Sequence, residues 1–274
     1  MSLSKIFAAT VLSLAVASPA MAGQLVINGS TTVLPVMQKA GEAFMASHPD
    51  IQLSISGGGS GNGIKALMEG QCNIAMSSRD MKDKEKEACK AKNINPVRTT
   101  IAVDAIVPVV NPGNPLKEIT SEQLKDIYAG KITNWKEVGG DDQPITLIHR
   151  AKSSGSRATI ADVVLKGAAF TDNAVIQDSN GAVRAAIAST PGSIGYVDAP
   201  YADDSIKILK FDGVEYSPEN IIAGKYPIYG YGHMYTKGEP TGAVKAFIDY
   251  ILSDEFQNTQ VEKLGFIPVN KMKK

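Results

Sequence analysis

The sequence predicts an α/β fold, because β-rich runs alternate with amphipathic helical segments along almost the whole chain. Three strand-to-helix junctions, at 28–32, 56–63 and 150–157, are rich in glycine and hydroxyl residues. The first N–H groups of a helix have no partner within it, and the helix dipole adds partial positive charge there. Three such junctions at one edge of a sheet would favour a bound oxyanion.

The N-terminus is typical of an export signal. Lys5 is followed by an apolar run at 6–16, too short to span a bilayer, and by the small-x-small motif Ala20-Met21-Ala22. We expect a signal peptide at 1–22, cleavage after Ala22 and an exported mature chain; a transmembrane anchor is the alternative. No later apolar run is long enough to cross a bilayer, so we expect no membrane insertion.

Charge and cysteine content narrow the possible functions. The chain has 28 basic and 28 acidic residues, which gives no support for nucleic-acid binding. Cys72 and Cys89 form an even pair, which in an exported protein predicts a disulfide, with two buried free thiols as the alternative. The scattered His48, His149 and His233 do not have metal-ligand spacing, so no metal or cofactor is expected.

The first two junctions lie close together in the chain. A short strand at 25–27 precedes the first junction, and apolar residues at helical spacing follow it. An alternating strand at 51–55 leads into the glycine run at 56–63 and a short helix. The run lacks the Gly-Lys-Ser/Thr ending of a P-loop, and a flexible loop is the alternative to a ligand-binding turn.

The next elements lead to the middle of the chain. A buried strand at 73–76 ends at Ser77-Ser78-Arg79, and polar residues at the carboxyl end of such a strand are positioned for a ligand crevice. The segment 97–110 is β-rich and long enough to run from one domain into another. Thr120 and Gln123 form a capping box at a helix start. The only tryptophan, Trp135, is expected to be a packing anchor.

The third junction follows a strand at 145–148 and precedes another helix. Its side chains that suit a tetrahedral oxyanion are Arg150, Ser154, Ser156 and Arg157. Gly155 lets a ligand approach the backbone closely. An ordinary helix cap with two solvated arginines is the alternative.

The last third of the chain continues the alternation of strands and helices. The predicted elements are a helix around 183–187, strands at 194–197, 206–211 and 226–235, and helices around 244–251 and 256–261. The aromatic strand at 226–235 is a candidate for a return crossover between two domains.

Five motifs in this sequence carry a resemblance to a known family. They are Gly29-Ser30-Thr31-Thr32, Gly59-Ser60-Gly61, Ser77-Ser78-Arg79, Asn111-Pro112 with Ile132-Thr133-Asn134-Trp135, and Arg150-x-x-x-Ser154-Gly155-Ser156. With them the chain resembles the PstS family, the periplasmic phosphate-binding proteins of phosphate ABC transporters. The resemblance covers nearly the whole mature chain.

The resemblance implies a type II periplasmic-binding-protein fold, in which two α/β lobes are joined by two crossovers and hold the ligand in a cleft. Lobe I would comprise 23–103 plus 231–274, and lobe II would comprise 104–230. The implied phosphate-binding residues are Ser30, Thr31, Thr32, Ser60 and Ser78 from lobe I, and Arg150, Ser154, Gly155 and Ser156 from lobe II. A monomer that delivers inorganic phosphate to a membrane permease, without a cofactor, is expected.

Two positions depart from the pattern of some family members. Ser78 stands where those members have an Asp that accepts a hydrogen bond from protonated phosphate, and Lys152 stands where they have an Asp that pairs with the arginine. A hydroxyl can donate as well as accept, so sulfate, molybdate, tungstate and arsenate remain alternatives to phosphate.

A secreted phosphatase is the other alternative, and the sequence gives it little support. A serine nucleophile needs an adjacent base, and the Gly58–Asn62 segment misses the Gly-x-Ser-x-Gly elbow. His149 is the only histidine near a motif, and strand alternation is expected to turn it away from Arg150. We therefore expect a binding protein and not an enzyme.

Overall fold

A computed structural model describes residues 22–272 of the chain. Its strands are β1 (Ala22–Gly29), β2 (Ile51–Gly57), β3 (Ile74–Ser77), β4 (Val97–Val110), β5 (Glu118–Ile119), β6 (Thr146–Arg150), β7 (Val175–Gln177), β8 (Ser193–Asp198), β9 (Lys207–Ile208), β10 (Lys210–Phe211) and β11 (Tyr229–Thr236). The predicted signal peptide lies outside the described residues except for Ala22.

Helices alternate with these strands, as predicted. They are α1 (Leu34–Ser47), α2 (Ser60–Glu69), α3 (Asp83–Ala91), α4 (Ser121–Tyr128), α5 (Gly155–Ile160), α6 (Asn180–Ser189), α7 (Pro218–Ile222), α8 (Gly242–Leu252) and α9 (Asp254–Phe256). Single 3₁₀ turns lie at Trp135–Val138, Ala199–Tyr201 and Val269–Lys271, and π-helical turns at Ala161–Leu165 and Gln257–Val261 continue α5 and α9. Among residues 22–272, no helix is both long and apolar enough to cross a membrane.

The main sheet is mixed, in the order β2-β1-β3-β11-β4-β8-β6-β7, with β9 also beside β4. We call β1, β2 and β3, which are parallel, the β1 side, and β6, β7 and β8, also parallel, the β6 side. The long strand β4 joins them, since it pairs with β11 up to Ala105 and with β8 from Ile106. The prediction of one long strand linking two regions is confirmed.

Each side has its own apolar core. On the β1 side, β1, α1 and α8 pack together around Phe44 and Phe247, and on the β6 side Trp135, Tyr128 and Tyr196 are fully buried. The predicted crossover points lie opposite each other, because Asp104 on β4 pairs with Gly230 on β11. The division into lobes at these residues stays a prediction.

Local expectations are confirmed at two positions. Thr120 Oγ1 accepts a hydrogen bond from Gln123 N at 3.2 Å, and Gln123 Oε1 accepts one from Thr120 N at 3.0 Å, which completes the capping box. Trp135 is 1% exposed, and its Nε1 donates to Gly192 O at 2.8 Å, so it is a packing anchor.

The prediction of one continuous strand at 206–211 is wrong. The segment changes partner at Leu209, because β9 pairs with β4 whereas β10 pairs with β5. The chain therefore forms two short strands in place of one. The elements β7 and α7 were not predicted, since three to five residues are too few to show a hydrophobic period.

The predicted disulfide is absent from the described structure, in which Cys72 and Cys89 are both buried free thiols. Each packs as a small apolar side chain in a cluster with Ile64 and Leu67. Burial raises the pKa of Cys72 to about 11, which keeps this thiol protonated. The structure therefore agrees with the alternative prediction, that of two buried free thiols.

Candidate functional site

The polar residues that follow several strands meet at the centre of the main sheet. Thr32 Oγ1 lies 3.3 Å from Ser78 Oγ and 3.2 Å from Ser156 Oγ, and Ser60 Oγ lies 3.4 Å from Ser78 Oγ. The nine residues that the family resemblance implies for phosphate binding are all buried, and the eight of them with side chains are each at most 8% exposed. The structure thus brings the three junctions and the end of β3 together, as the sequence indicated.

Two of the predicted hydroxyls serve the local backbone. Ser30 Oγ accepts from Thr32 N at 3.2 Å, which tightens the turn after β1. Ser154 Oγ accepts from Arg157 N at 3.2 Å, which caps α5. These hydroxyls hold the two turns in shape beside the site.

Glycine is required at two of these turns. At Gly29, where φ is +141°, a Cβ would lie 2.1 Å from Met76 O, so another residue would push β1 away from β3. At Gly155, the first residue of α5, a Cβ would lie 2.2 Å from Ser78 Oγ and 2.6 Å from Ser60 Oγ. Glycine at 155 therefore lets the hydroxyls of the β1 side reach the start of α5.

Arg150, at the end of β6, is the cation of the site and is 1% exposed. Its Nη2 donates to Thr31 Oγ1 and to Asp178 O, both at 2.9 Å. Its Nε and Nη1 are buried and have no acceptor among the described residues. Burial lowers the pKa of Arg150, and the charge of Asp198 opposes this shift. A buried guanidinium with two unused donors is costly unless an anion completes its hydrogen bonds.

Asp198, at the end of β8, is a site residue that the sequence analysis missed. It is 1% exposed, and its carboxylate accepts from Thr32 Oγ1 at 2.6 Å and from Ser156 Oγ at 2.8 and 2.9 Å. Asn180 Nδ2 also donates to it, and Asn180 Oδ1 accepts from Asp198 N at 3.2 Å. The signal was present, because Asp198 follows the buried strand at 194–197 as Ser78 follows the strand at 73–76.

A second carboxyl group, that of Asp104 on β4, lies beside Asp198. Burial raises the pKa of Asp104 well above its usual value, and the charge of Asp198 and a hydrogen bond with it act in the same direction. Asp104 Oδ1 has no hydrogen-bond partner among the described residues. We infer that Asp104 is neutral, which avoids two ionised carboxylates in one buried site.

Arg157, whose side chain suits an oxyanion, is engaged elsewhere in the structure. Its guanidinium carbon lies 4.2 Å from the ring centroid of Phe170, and its Nη1 donates to Arg150 O at 3.0 Å. His149 packs against the same phenylalanine, with ring centroids 4.9 Å apart, which confirms that it faces away from the hydroxyls. Within residues 22–272, no group of three His, Cys, Asp or Glu side chains could hold a metal ion.

The β1 side and the β6 side contact each other across the site. Gly61 N donates to Ser153 O at 2.9 Å, and Tyr201 Oη donates to Thr31 O. Together with the bonds from Thr32 to Asp198 and from Arg150 to Thr31, these contacts shield the site from solvent. An oxyanion held here would contact both sides at once.

This fold and site define a two-lobed α/β binding protein, and the chain matches the PBP superfamily domain over residues 15–255. It is 42% identical over 252 residues to the phosphate-binding protein PstS of Bacillus subtilis, an alignment that covers 92% of this chain and 82% of the relative. It is 33% identical over 255 residues to PstS of Borreliella burgdorferi, with 89% of each chain covered. The chain belongs to the PstS family of phosphate-binding proteins.

A solved structure supports the same relationship. The crystal structure of a phosphate ABC transporter substrate-binding protein from Clostridium perfringens, with bound phosphate, is 40% identical. It superposes with a TM-score of 0.84 and covers 90% of this chain and 100% of its own. The predicted periplasmic-binding-protein fold is therefore confirmed.

Proposed function

We propose that this protein captures inorganic phosphate outside the cytoplasm and delivers it to the permease of an ABC transporter. The names of the PstS relatives and the bound phosphate of the Clostridium perfringens protein support this function. The ligand would lie between lobe I (23–103 plus 231–274) and lobe II (104–230). Its shell would be drawn from the nine predicted residues, of which Arg150 is one.

The observation that carries the proposal is the buried Arg150 with two free donors. Nε and Nη1 each keep N–H donors, on different edges of the planar guanidinium, that can bind oxygens of an oxyanion. The Ser60 and Ser78 hydroxyls lie beside Gly155, the first residue of α5, whose first N–H groups are also free to donate to an anion. Each hydrogen bond to a charged ligand contributes roughly 1.5–3 kcal/mol, part of which offsets desolvation.

Ligand capture would be coupled to closure of the two sides. The strands β4 and β11 connect them, and rotation about these strands would separate Thr32 from Asp198 and Gly61 from Ser153. An oxyanion that bridges Thr32 and Arg150 stabilises the closed form. A permease that recognises only this form would receive only loaded protein.

Export, oligomeric state and lack of turnover belong to the same proposal. We expect the segment 1–22 to direct export and to be removed after Ala22, and the mature protein to act as a monomer without a cofactor. His149 packs away from the serine hydroxyls, so it is not placed to act as a base for a phosphatase. Turnover of a chromogenic phosphate ester by the purified protein would contradict this expectation.

Calorimetric titration of the purified protein with phosphate tests the proposal, after bound ligand has been removed by partial unfolding and dialysis. We expect saturable one-to-one binding, and a loss of at least about 100-fold in affinity for Arg150→Lys, since lysine keeps the charge but replaces two fixed donors by one point charge. Arg157→Lys is the matched control and should bind like the wild type. Absence of phosphate binding by the folded wild-type protein would refute the function.

A further inference from the structure

We propose that the protein has a second ligand site, which takes an organic phosphate with an aromatic ring, such as a nucleoside phosphate. The site consists of two neighbouring cavities, of about 720 and 320 Å³, whose walls share Asp80 and Arg98. Cavities that hold small ligands typically measure about 300–1,000 Å³. We call the two cavities together the β11 groove, because Tyr231, His233 and Tyr235 of β11 line them.

The β11 groove lies apart from the phosphate site. The aromatic rings that line it follow one another along one face of β11, with centroids 6.0–6.2 Å apart. Side chains alternate between the two faces of a strand, so Gly230 belongs to the opposite face. There a Cβ on Gly230 would lie 3.5 Å from Ser78 O, beside the phosphate site. A ligand in the groove and a phosphate ion can therefore be bound at the same time.

The smaller cavity offers a flat aromatic surface. The rings of Tyr231 and His233 are nearly parallel, with centroids 6.2 Å apart and 21° between their planes. Tyr231 is 40% exposed, so one part of its ring is open to a ligand. Val103 and Val269 add apolar surface to the same wall. Proteins hold the bases of nucleotides by stacking them on exposed aromatic rings of this kind.

The larger cavity is basic. Lys86, Lys90 and Arg98 line it, and Asp80 is the one acidic residue among its described lining residues. Arg98 Nη1 donates to Asp80 Oδ1, so the charge of this carboxylate is already balanced. Lys86 Nζ lies 3.1 Å from the exposed Asp83, whereas Lys90 forms no ion pair within residues 22–272. Ammonium groups in such a cavity suit the phosphate groups of a ligand.

The length of the groove favours a ligand with two different ends. Tyr231 and Tyr235 are four residues apart on β11, which corresponds to roughly 13 Å. No lysine lines the smaller cavity, so an anion without a ring would leave its aromatic wall unused. The larger cavity adds the amide groups of Asn93 and Asn95, which can donate to phosphate oxygens. A planar ring joined to anionic groups uses both cavities.

Calorimetric titration of metal-free ATP into phosphate-saturated protein tests this inference, because bound phosphate keeps ATP out of the central site. We expect saturable one-to-one binding. Adenosine has the ring without the phosphates, and pyrophosphate has the phosphates without the ring. Each should bind at least about tenfold more weakly than ATP, since each fills only one of the two cavities.

Variants at the two ends locate the bound ATP. Tyr231→Ala should weaken ATP binding roughly 5- to 150-fold, the range expected for the loss of a stacking ring, whereas Tyr231→Phe keeps the ring and should bind like the wild type. Lys90→Gln should weaken ATP binding about threefold or more without changing the affinity for phosphate. Lys84→Gln is its matched control, because Lys84 is exposed on the same helix but does not line the groove.

Three results would overturn the inference. The first is absence of ATP binding by phosphate-saturated wild-type protein. The second is binding of adenosine or pyrophosphate as tightly as ATP. The third is ATP binding that stays unchanged in Lys90→Gln and Tyr231→Ala, once thermal unfolding has shown that both variants are folded. None of these results would affect the proposed capture of phosphate, which is measured by titration without ATP.

Discussion

A methyl group at position 155 should weaken phosphate binding without harming the fold. A Cβ on Gly155 would lie 2.2 Å from Ser78 Oγ and 2.6 Å from Ser60 Oγ, about 1 Å or more short of ordinary van der Waals contact. Both serines belong to the β1 side and Gly155 begins α5 on the β6 side. The overlap therefore exists only when the two sides are together.

Gly155→Ala is expected to raise the stability of the protein without phosphate and to lower its affinity for phosphate. Gly155 does not have a positive φ, so alanine fits its backbone and should stabilise the protein without phosphate by up to about 1 kcal/mol. Overpacking in the closed form costs about 1–3 kcal/mol. At about 1.4 kcal/mol per tenfold, the dissociation constant for phosphate should rise roughly 5- to 150-fold.

Calorimetry with phosphate and thermal unfolding without it measure the two effects. Gly58→Ala is a matched control, because a Cβ there meets no atom within 4 Å, and it should bind phosphate like the wild type. Small-angle scattering should show that Gly155→Ala contracts less than the wild type when phosphate is added. A dissociation constant within threefold of the wild-type value, with full contraction, would refute the argument that closure brings these atoms together.

Two further predictions concern stability. Trp135→Phe should lower the free energy of unfolding by about 2 kcal/mol, since Gly192 O loses its buried donor, and should leave phosphate affinity unchanged; denaturant unfolding and calorimetry check this. Burial lowers the pKa of His233 to about 4, despite the opposing charge of Asp80. Because unfolded histidine titrates near pH 6.5, stability should fall by up to roughly 3 kcal/mol as the pH drops from about 6.5 to 4. His233→Asn should flatten this dependence in unfolding curves measured across the range, and an unchanged slope would contradict it.

Local patterns in the sequence were sufficient to predict the elements that form the site. The hydroxyl turns after β1 and β6 and the glycine run before α2 are short-range signals, and each lies where the sequence indicated. Their meeting point followed from the rule that polar residues at the carboxyl ends of strands share one edge of a sheet. Arg150 could be predicted as a binding residue because it ends a strand at this edge of the sheet.

The partners of these residues could not be predicted in the same way. Thr32 and Asp198 are 166 residues apart, and their bond depends on the register of β4 against β8. The location of the Arg157 guanidinium also depends on tertiary structure. It lies over Phe170 because of the path that the chain takes after the π-helical turn that extends α5. Cys72 and Cys89 show the same limit, because an even count does not say whether two thiols face each other.

The charges of the site suggest how an anion is held in a chain with no net charge. Its buried centre holds the Arg150 guanidinium together with two carboxyl groups, those of Asp104 and Asp198. A surplus of basic side chains therefore does not account for the attraction of an anion. Binding depends instead on where the donors point, because Arg150 keeps its Nε and Nη1 donors free and the helix N-termini add partial positive charge beside them.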